Sequence, residues 1–127
     1  MAWNKFGAKK VTTPDGEKFD SRKEADRYAV LKLLQRAGKI SGLKRQVTFE
    51  LIPTQRELTN EIFQAGPMKG LPKPGPVIEK ACTYVADFTY YQDGKYIVED
   101  SKGCKTEAYK IKKKLMLYVH GIRIKET

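Results

Sequence analysis

Between residues 22 and 37 the apolar positions recur at helical intervals. Ala25, Tyr28, Ala29, Leu33 and Ala37 share one broad face, with Val30 and Leu34 at its edge. Ser21 precedes this run and Glu24 lies three residues further on, a capping-box spacing that satisfies helix-start amides, and Gly38 supplies the stop. A helix over 22–37 is predicted. The period then falls to two: Val47, Phe49 and Leu51 alternate with Gln46, Thr48 and Glu50, which predicts a half-buried strand over 45–51 ended by Pro53. Residues 82–91 are rich in β-branched and aromatic types, Gln92-Asp93-Gly94-Lys95 reads as a hairpin turn, and 96–100 returns as its partner strand. Thr106 or Glu107 opens a second helix running to about His120, with Ala108, Ile111, Leu115, Tyr118 and Val119 as its buried stripe. Gly121 ends that helix, and 122–125 reads as a short last strand.

Two stretches fall outside these periodicities. In the first 20 residues, basic at Lys5, Lys9 and Lys10, Pro14-Asp15-Gly16 is a turn signal, so 10–13 and 17–19 are either the arms of a small hairpin or an ordered arm. Residues 54–80 hold Pro67, Pro72, Pro74 and Pro76 with Gly66, Gly70 and Gly75, and read as a partly mobile excursion between two strands. The predicted order is α-β-β-β-α-β, an α/β fold with a mixed central sheet flanked by helices. A chain of 127 residues without an internal repeat is one domain's worth.

Charge narrows the partners. The 25 Lys and Arg against 15 Asp and Glu leave a net charge of +10, which points to a polyanion, most commonly nucleic acid. Charge alone does not separate an enzyme from a simple surface binder. Two cysteines, Cys82 and Cys104, and one histidine, His120, exclude a disulfide-built scaffold and argue against a Cys/His zinc site. No apolar run approaches the roughly 20 residues of a membrane span, and no signal-peptide core follows Met1, so a cytoplasmic protein with no membrane partner is expected.

The hairpin turn fixes a register. With Asp93-Gly94 as a two-residue loop, Gln92 faces Lys95, and counting back along both strands brings Asp87 opposite Asp100. Directly opposed side chains lie about 5 Å apart at Cβ, where like charges destabilise. Such a pair calls for a cation or a shared proton. Strand alternation puts Lys102 on the face of Asp100 and sends Glu99 and Ser101 to the other. Two carboxylates beside an ammonium suit metal-dependent phosphodiester hydrolysis. The carboxylates would hold Mg²⁺, and the lysine would position the attacking water and offset developing negative charge. Ordinary strand-end aspartates with an exposed lysine partner would leave the same letters in the sequence.

The element order, an Asp on one hairpin strand and Asp-x-Lys on the next resemble the PD-(D/E)XK nucleases. More closely, the chain is similar to a small phage-encoded family of unknown function, DUF1064, placed in that superfamily. The segments that carry the resemblance are Lys18-Phe19-Asp20-Ser21-Arg22-Lys23-Glu24-Ala25, Tyr84-Val85-Ala86-Asp87-Phe88 and Val98-Glu99-Asp100-Ser101-Lys102-Gly103. It covers nearly the whole chain apart from the Pro/Gly-rich excursion. The resemblance implies a restriction-endonuclease-like core, Asp87 and Asp100 as metal ligands, and Lys102 as the catalytic lysine. It also implies Glu24 as a further acidic ligand, as in archaeal-type Holliday junction resolvases. The capping box gives Glu24 a competing role. Ala86 stands where proline is common, and Asp100 replaces the more frequent Glu, shortening the reach to the metal by one methylene.

The expected activity is a Mg²⁺-dependent DNA endonuclease, with Mn²⁺ able to substitute, in phage recombination or replication within a bacterial or phage-infected host cell. Branched DNA or Holliday junctions are one substrate this reading allows, and single-strand cleavage or nicking is comparably allowed. A junction resolvase calls for a homodimer. In that reading Lys105, Lys110, Lys113 and Lys114, with Arg22 and Lys23 beside Glu24, contact phosphates. The alternative is a non-catalytic nucleic-acid-binding module of the same fold.

Overall fold

The computed structural model describes residues 10–101 and 105–127. It orders them as β1 (Val11–Thr12), β2 (Lys18–Phe19), α1 (Arg22–Arg36), β3 (Ser41–Ile52), β4 (Gln55–Arg56), β5 (Val77–Glu79), β6 (Cys82–Gln92), β7 (Lys95–Asp100), α2 (Glu107–His120) and β8 (Lys125–Glu126). Stripped of the two short hairpins, the order is the predicted α-β-β-β-α-β. Four strands form the central sheet in the order β3-β6-β7-β8. β6 and β7 are antiparallel and β7 and β8 parallel, so the sheet is mixed. No helix of the described residues is long and apolar enough to cross a membrane. Trp3, Lys5, Lys9, Lys102 and Cys104 lie outside the described residues.

The chain divides into two compact units, one running up to Phe49 and again from Tyr84, the other Glu50–Thr83. In the first, Leu31, Ile40, Phe88 and Tyr90 form a buried cluster, with Tyr28, Leu34, Leu43 and Ile97 packed against it. The Tyr28 ring stacks on Phe88 at 5.9 Å. β3 keeps the predicted alternation and lengthens it, with Leu43, Arg45, Val47 and Phe49 half-buried and Leu51 buried. The N-terminal turn closes a true hairpin, pairing Val11 with Phe19 and Thr12 with Lys18.

Both helices are rotated from the predicted faces. In α1, Leu33 is 60% exposed while Leu31 is fully buried, and Ala29 and Ala37 also face outward. Apolar residues cover almost every direction of that helix, so periodicity leaves its phase open. Polar anchors set it: Arg27 reaches the buried Glu99, and Glu24 reaches β3. In α2, Tyr109 and Met116 are buried, whereas Ile111 is 57% and Tyr118 88% exposed and Ala108 and Val119 point outward. Here the hydroxyl of Tyr109 and the ammonium of Lys113 both bind Glu126, turning the expected stripe away from the sheet. Gly121, at φ 66°, ends α2 as expected, but the last strand is Lys125–Glu126 rather than 122–125.

Within the second unit, the stretch 54–80 carries pairing that the sequence reading left unspecified. β4 and β5 are antiparallel, and the pairing continues beyond them. Glu57 N–H donates to Pro76 O, Lys73 N–H to Glu61 O and Phe63 N–H to Leu71 O, each at 2.9 Å. Pro76 is tolerated in this pairing because it contributes its carbonyl and lacks only the donor. Gly75 is required by close approach, since a Cβ there would lie 1.9 Å from the carbonyl oxygen of Glu57.

Candidate active site

Asp93 and Gly94 both take left-handed backbone, φ 52° and 75°, as a two-residue hairpin loop demands. The ladder therefore runs in the expected register, from Gln92 opposite Lys95 to Phe88 opposite Glu99. One step further, at Asp87 and Asp100, the bonding changes. The backbone N–H of Ser101 donates to Asp87 Oδ2 at 2.8 Å, and the hydroxyl of Tyr84 donates to Asp100 Oδ2 at 2.5 Å. The Tyr84 ring lies 6.3 Å from Tyr109 of α2, whereas Phe88, four residues along the same strand, stacks on Tyr28 of α1. The buried positions Tyr84, Ala86, Phe88 and Tyr90 alternate along β6, with Asp87 half-buried between them.

Glu24 supplies the third carboxylate, from the first turn of α1, and is only 4% exposed. Its two expected roles separate. Ser21 caps the helix, its hydroxyl accepting the Glu24 N–H at 3.2 Å. The Glu24 carboxylate turns to β3 instead, where Gln46 Nε2 donates to Oε1 at 3.1 Å and Arg45 Nη2 lies 3.9 Å from the same oxygen. Burial, and after it the charges of Asp87, Asp20 and Asp100, together push the Glu24 carboxyl up to about 7 against the opposing charge of Arg45. The sequence-predicted trio of Glu24, Asp87 and Asp100 thus shares one electrostatic neighbourhood. Burial, followed by the Asp100 carboxylate, also pushes the Tyr84 phenol up, and Tyr109 is pushed up by burial, by Glu126 and by the charge of Asp100.

Among the described residues, no group of three or more His, Cys, Asp and Glu side chains is placed where it could hold a metal ion. The donor chemistry nevertheless suits a hard divalent cation, which takes carboxylate oxygens. Mutual repulsion that favours a neutral Glu24 is what a cation at this spot would relieve.

The expected phosphate contacts are placed unevenly. Lys105 and Lys113 both bind Glu126 Oε1, at 3.5 and 2.7 Å, and the Lys113 bond leads in holding the Glu126 carboxyl below its usual range. Lys110 pairs with Glu107 at 3.2 Å, and Arg22 with Asp26 at 3.5 Å. Lys23 and Lys114 are exposed and form no ion pair among the described residues. His120 packs its ring edge-on against Phe49 at 5.8 Å.

Four residues of the neighbourhood escaped the sequence reading: Arg45, Gln46, Tyr84 and Tyr109. A tyrosine in a buried strand position needs a partner for its hydroxyl, which was the signal available for Tyr84. Gln46 carried none, because its contact depends on a left-handed backbone, φ 52°, in the middle of β3. On the other face of β7, fully buried Glu99 accepts from Arg27 Nε at 2.5 Å and Nη2 at 3.1 Å and from the Tyr90 hydroxyl at 2.5 Å. That cluster fixes β7 against α1.

The fold is that of a small mixed α/β protein, a four-stranded mixed sheet with two helices. The chain belongs to the family described as protein of unknown function, DUF1064, whose model matches residues 3–125. No curated protein and no solved structure matches it.

Proposed function

We propose that this protein is a Mg²⁺-dependent DNA endonuclease of the PD-(D/E)XK kind, with a restriction-endonuclease-like core. The observation that carries the reading is the end of the hairpin, where the Ser101 amide next to Asp100 donates to Asp87 Oδ2 at 2.8 Å, with buried Glu24 opposed in its ionisation by both aspartates. Structural carboxylates are seldom gathered at such a cost, and perturbed groups cluster at functional sites. Glu24, Asp87 and Asp100 would hold the ion, which supplies Lewis acidity toward the scissile phosphate and the attacking water. Tyr84 orients Asp100 and the Ser101 amide orients Asp87. Lys102, two residues after Asp100, is assigned the attacking water and the developing charge. The net charge of +10 holds the DNA, with Lys23 and Lys114 the most available phosphate contacts and Lys110, Lys113, Lys105 and Arg22 drawn from their carboxylate partners. Branched DNA is the proposed substrate, cut by a homodimer whose two sites match the symmetry of a four-way junction.

The test is incubation with supercoiled plasmid and with a synthetic four-way junction, in Mg²⁺ and in EDTA. Cleavage that needs Mg²⁺ and vanishes in Asp100→Asn and Lys102→Ala supports the reading. Tight, salt-sensitive DNA binding with no cleavage in Mg²⁺ or Mn²⁺ would instead establish a non-catalytic binding module.

A further inference from the structure

Gln46 is the one residue in the middle of β3 with a left-handed backbone. A non-glycine residue there is strained, and persists only where surrounding contacts over-determine it. No turn explains the conformation, because the strand runs unbroken from Ser41 to Ile52. What the conformation accompanies is a contact: the Gln46 amide donates to Glu24 Oε1 at 3.1 Å. Its neighbour Arg45 approaches the same oxygen at 3.9 Å and is itself fixed, donating to Lys18 O at 2.9 Å with its guanidinium 3.9 Å from the centre of the Phe19 ring. Two successive residues of one strand, which alternation would send to opposite faces, thus address one carboxylate oxygen.

We infer that Gln46 is a positioning residue: β3 adopts left-handed backbone at this point so that its amide holds the Glu24 carboxylate within the acidic cluster. The inference rests on the nuclease reading for its purpose but not for the Gln46–Glu24 link itself. An amide suits the task, because it donates to a carboxylate without adding a charge that would compete with a bound cation.

Gln46→Gly is the informative variant, since glycine accepts the positive φ without strain while removing the amide. A residue that serves only the backbone would show unchanged or raised thermal stability and nothing else. A positioning residue shows in addition a weaker affinity for Mn²⁺, measured by electron paramagnetic resonance, of about tenfold or more, as loss of an outer partner of a ligand produces. Cleavage in that variant should recover at saturating ion. Gln46→Asn keeps the amide and tolerates left-handed backbone but is one methylene shorter, and should fall between parent and glycine. A thermal double-mutant cycle of Gln46→Gly with Glu24→Gln, run without metal, reads the link directly. Non-additive melting temperatures support it; additive ones overturn it, as does parental Mn²⁺ affinity in Gln46→Gly. A parent that binds no Mn²⁺ would bring down the nuclease reading, and the metal-free cycle would then decide the Gln46–Glu24 link alone.

Discussion

The acidic cluster makes a quantitative demand on stability. Glu24 has an ordinary carboxyl value of 4.5 when the chain is unfolded and about 7 in the folded protein. Between those values the folded state keeps a proton that the unfolded state has lost. Stability therefore falls as pH rises across this window, by about 1.4 kcal/mol per pH unit. Over the whole interval that amounts to about 3 kcal/mol, a large share of the stability of a domain this size. Glu24→Gln replaces the carboxyl by a neutral group of the same shape and abolishes the titration. Below pH 4.5 parent and variant should differ little. At pH 8 and without metal the variant should be the more stable by up to about 3 kcal/mol, a figure that already includes the opposing charge of Arg45. Urea unfolding of both proteins at pH 4.5, 6 and 8 measures this, because every other titrating group is common to both. A stability difference that stays flat across those three values would refute the electrostatic picture of the cluster.

Other perturbations test the frame around the site. Arg27→Met leaves the fully buried Glu99 carboxylate without its cation and should lower unfolding free energy by about 3 kcal/mol in urea; a change within about 1 kcal/mol would mean that Tyr90 alone satisfies it. Gly75→Ala forces the backbone away from the Glu57 carbonyl and should cost about 1–3 kcal/mol, seen as faster amide exchange across residues 55–79, with unchanged protection contradicting the close approach. Lys114→Ala should reduce the log–log salt slope of duplex binding by nearly one, whereas Lys113→Ala, whose ammonium is engaged by Glu126, should reduce it by less; equal slopes in both variants and the parent would assign this helix face to solvation.

The elements were legible where local chemistry decides them. Ser21, Gly121 and the Asp93-Gly94 turn act within a few residues, and each appears where the sequence puts it. The turn also carried long-range information, since two residues of left-handed backbone fix which side chains face each other down to Glu99. The phase of both helices was not legible, because Tyr109 and Arg27 are drawn inward by partners on β8 and β7 that lie far away in sequence. The same holds for 54–80. There Gly75 marks a close approach to Glu57 and Pro76 pairs through its carbonyl alone, partnerships that composition does not reveal. Around the proposed site, the hydrogen bonds of Gln46 and Tyr84 and the approach of Arg45 depend on tertiary geometry that no spacing encodes.

The central claim is that Glu24, Asp87 and Asp100 form one divalent-cation site. A crystal soaked in Mn²⁺ and measured for anomalous scattering at the manganese edge tests it most directly. The account expects a peak between Asp87 and Asp100 within coordinating distance of the Glu24 carboxylate, and no such peak in Asp100→Asn. A map of the parent with no peak at these carboxylates, at an ion concentration that saturates other surface sites, would contradict it.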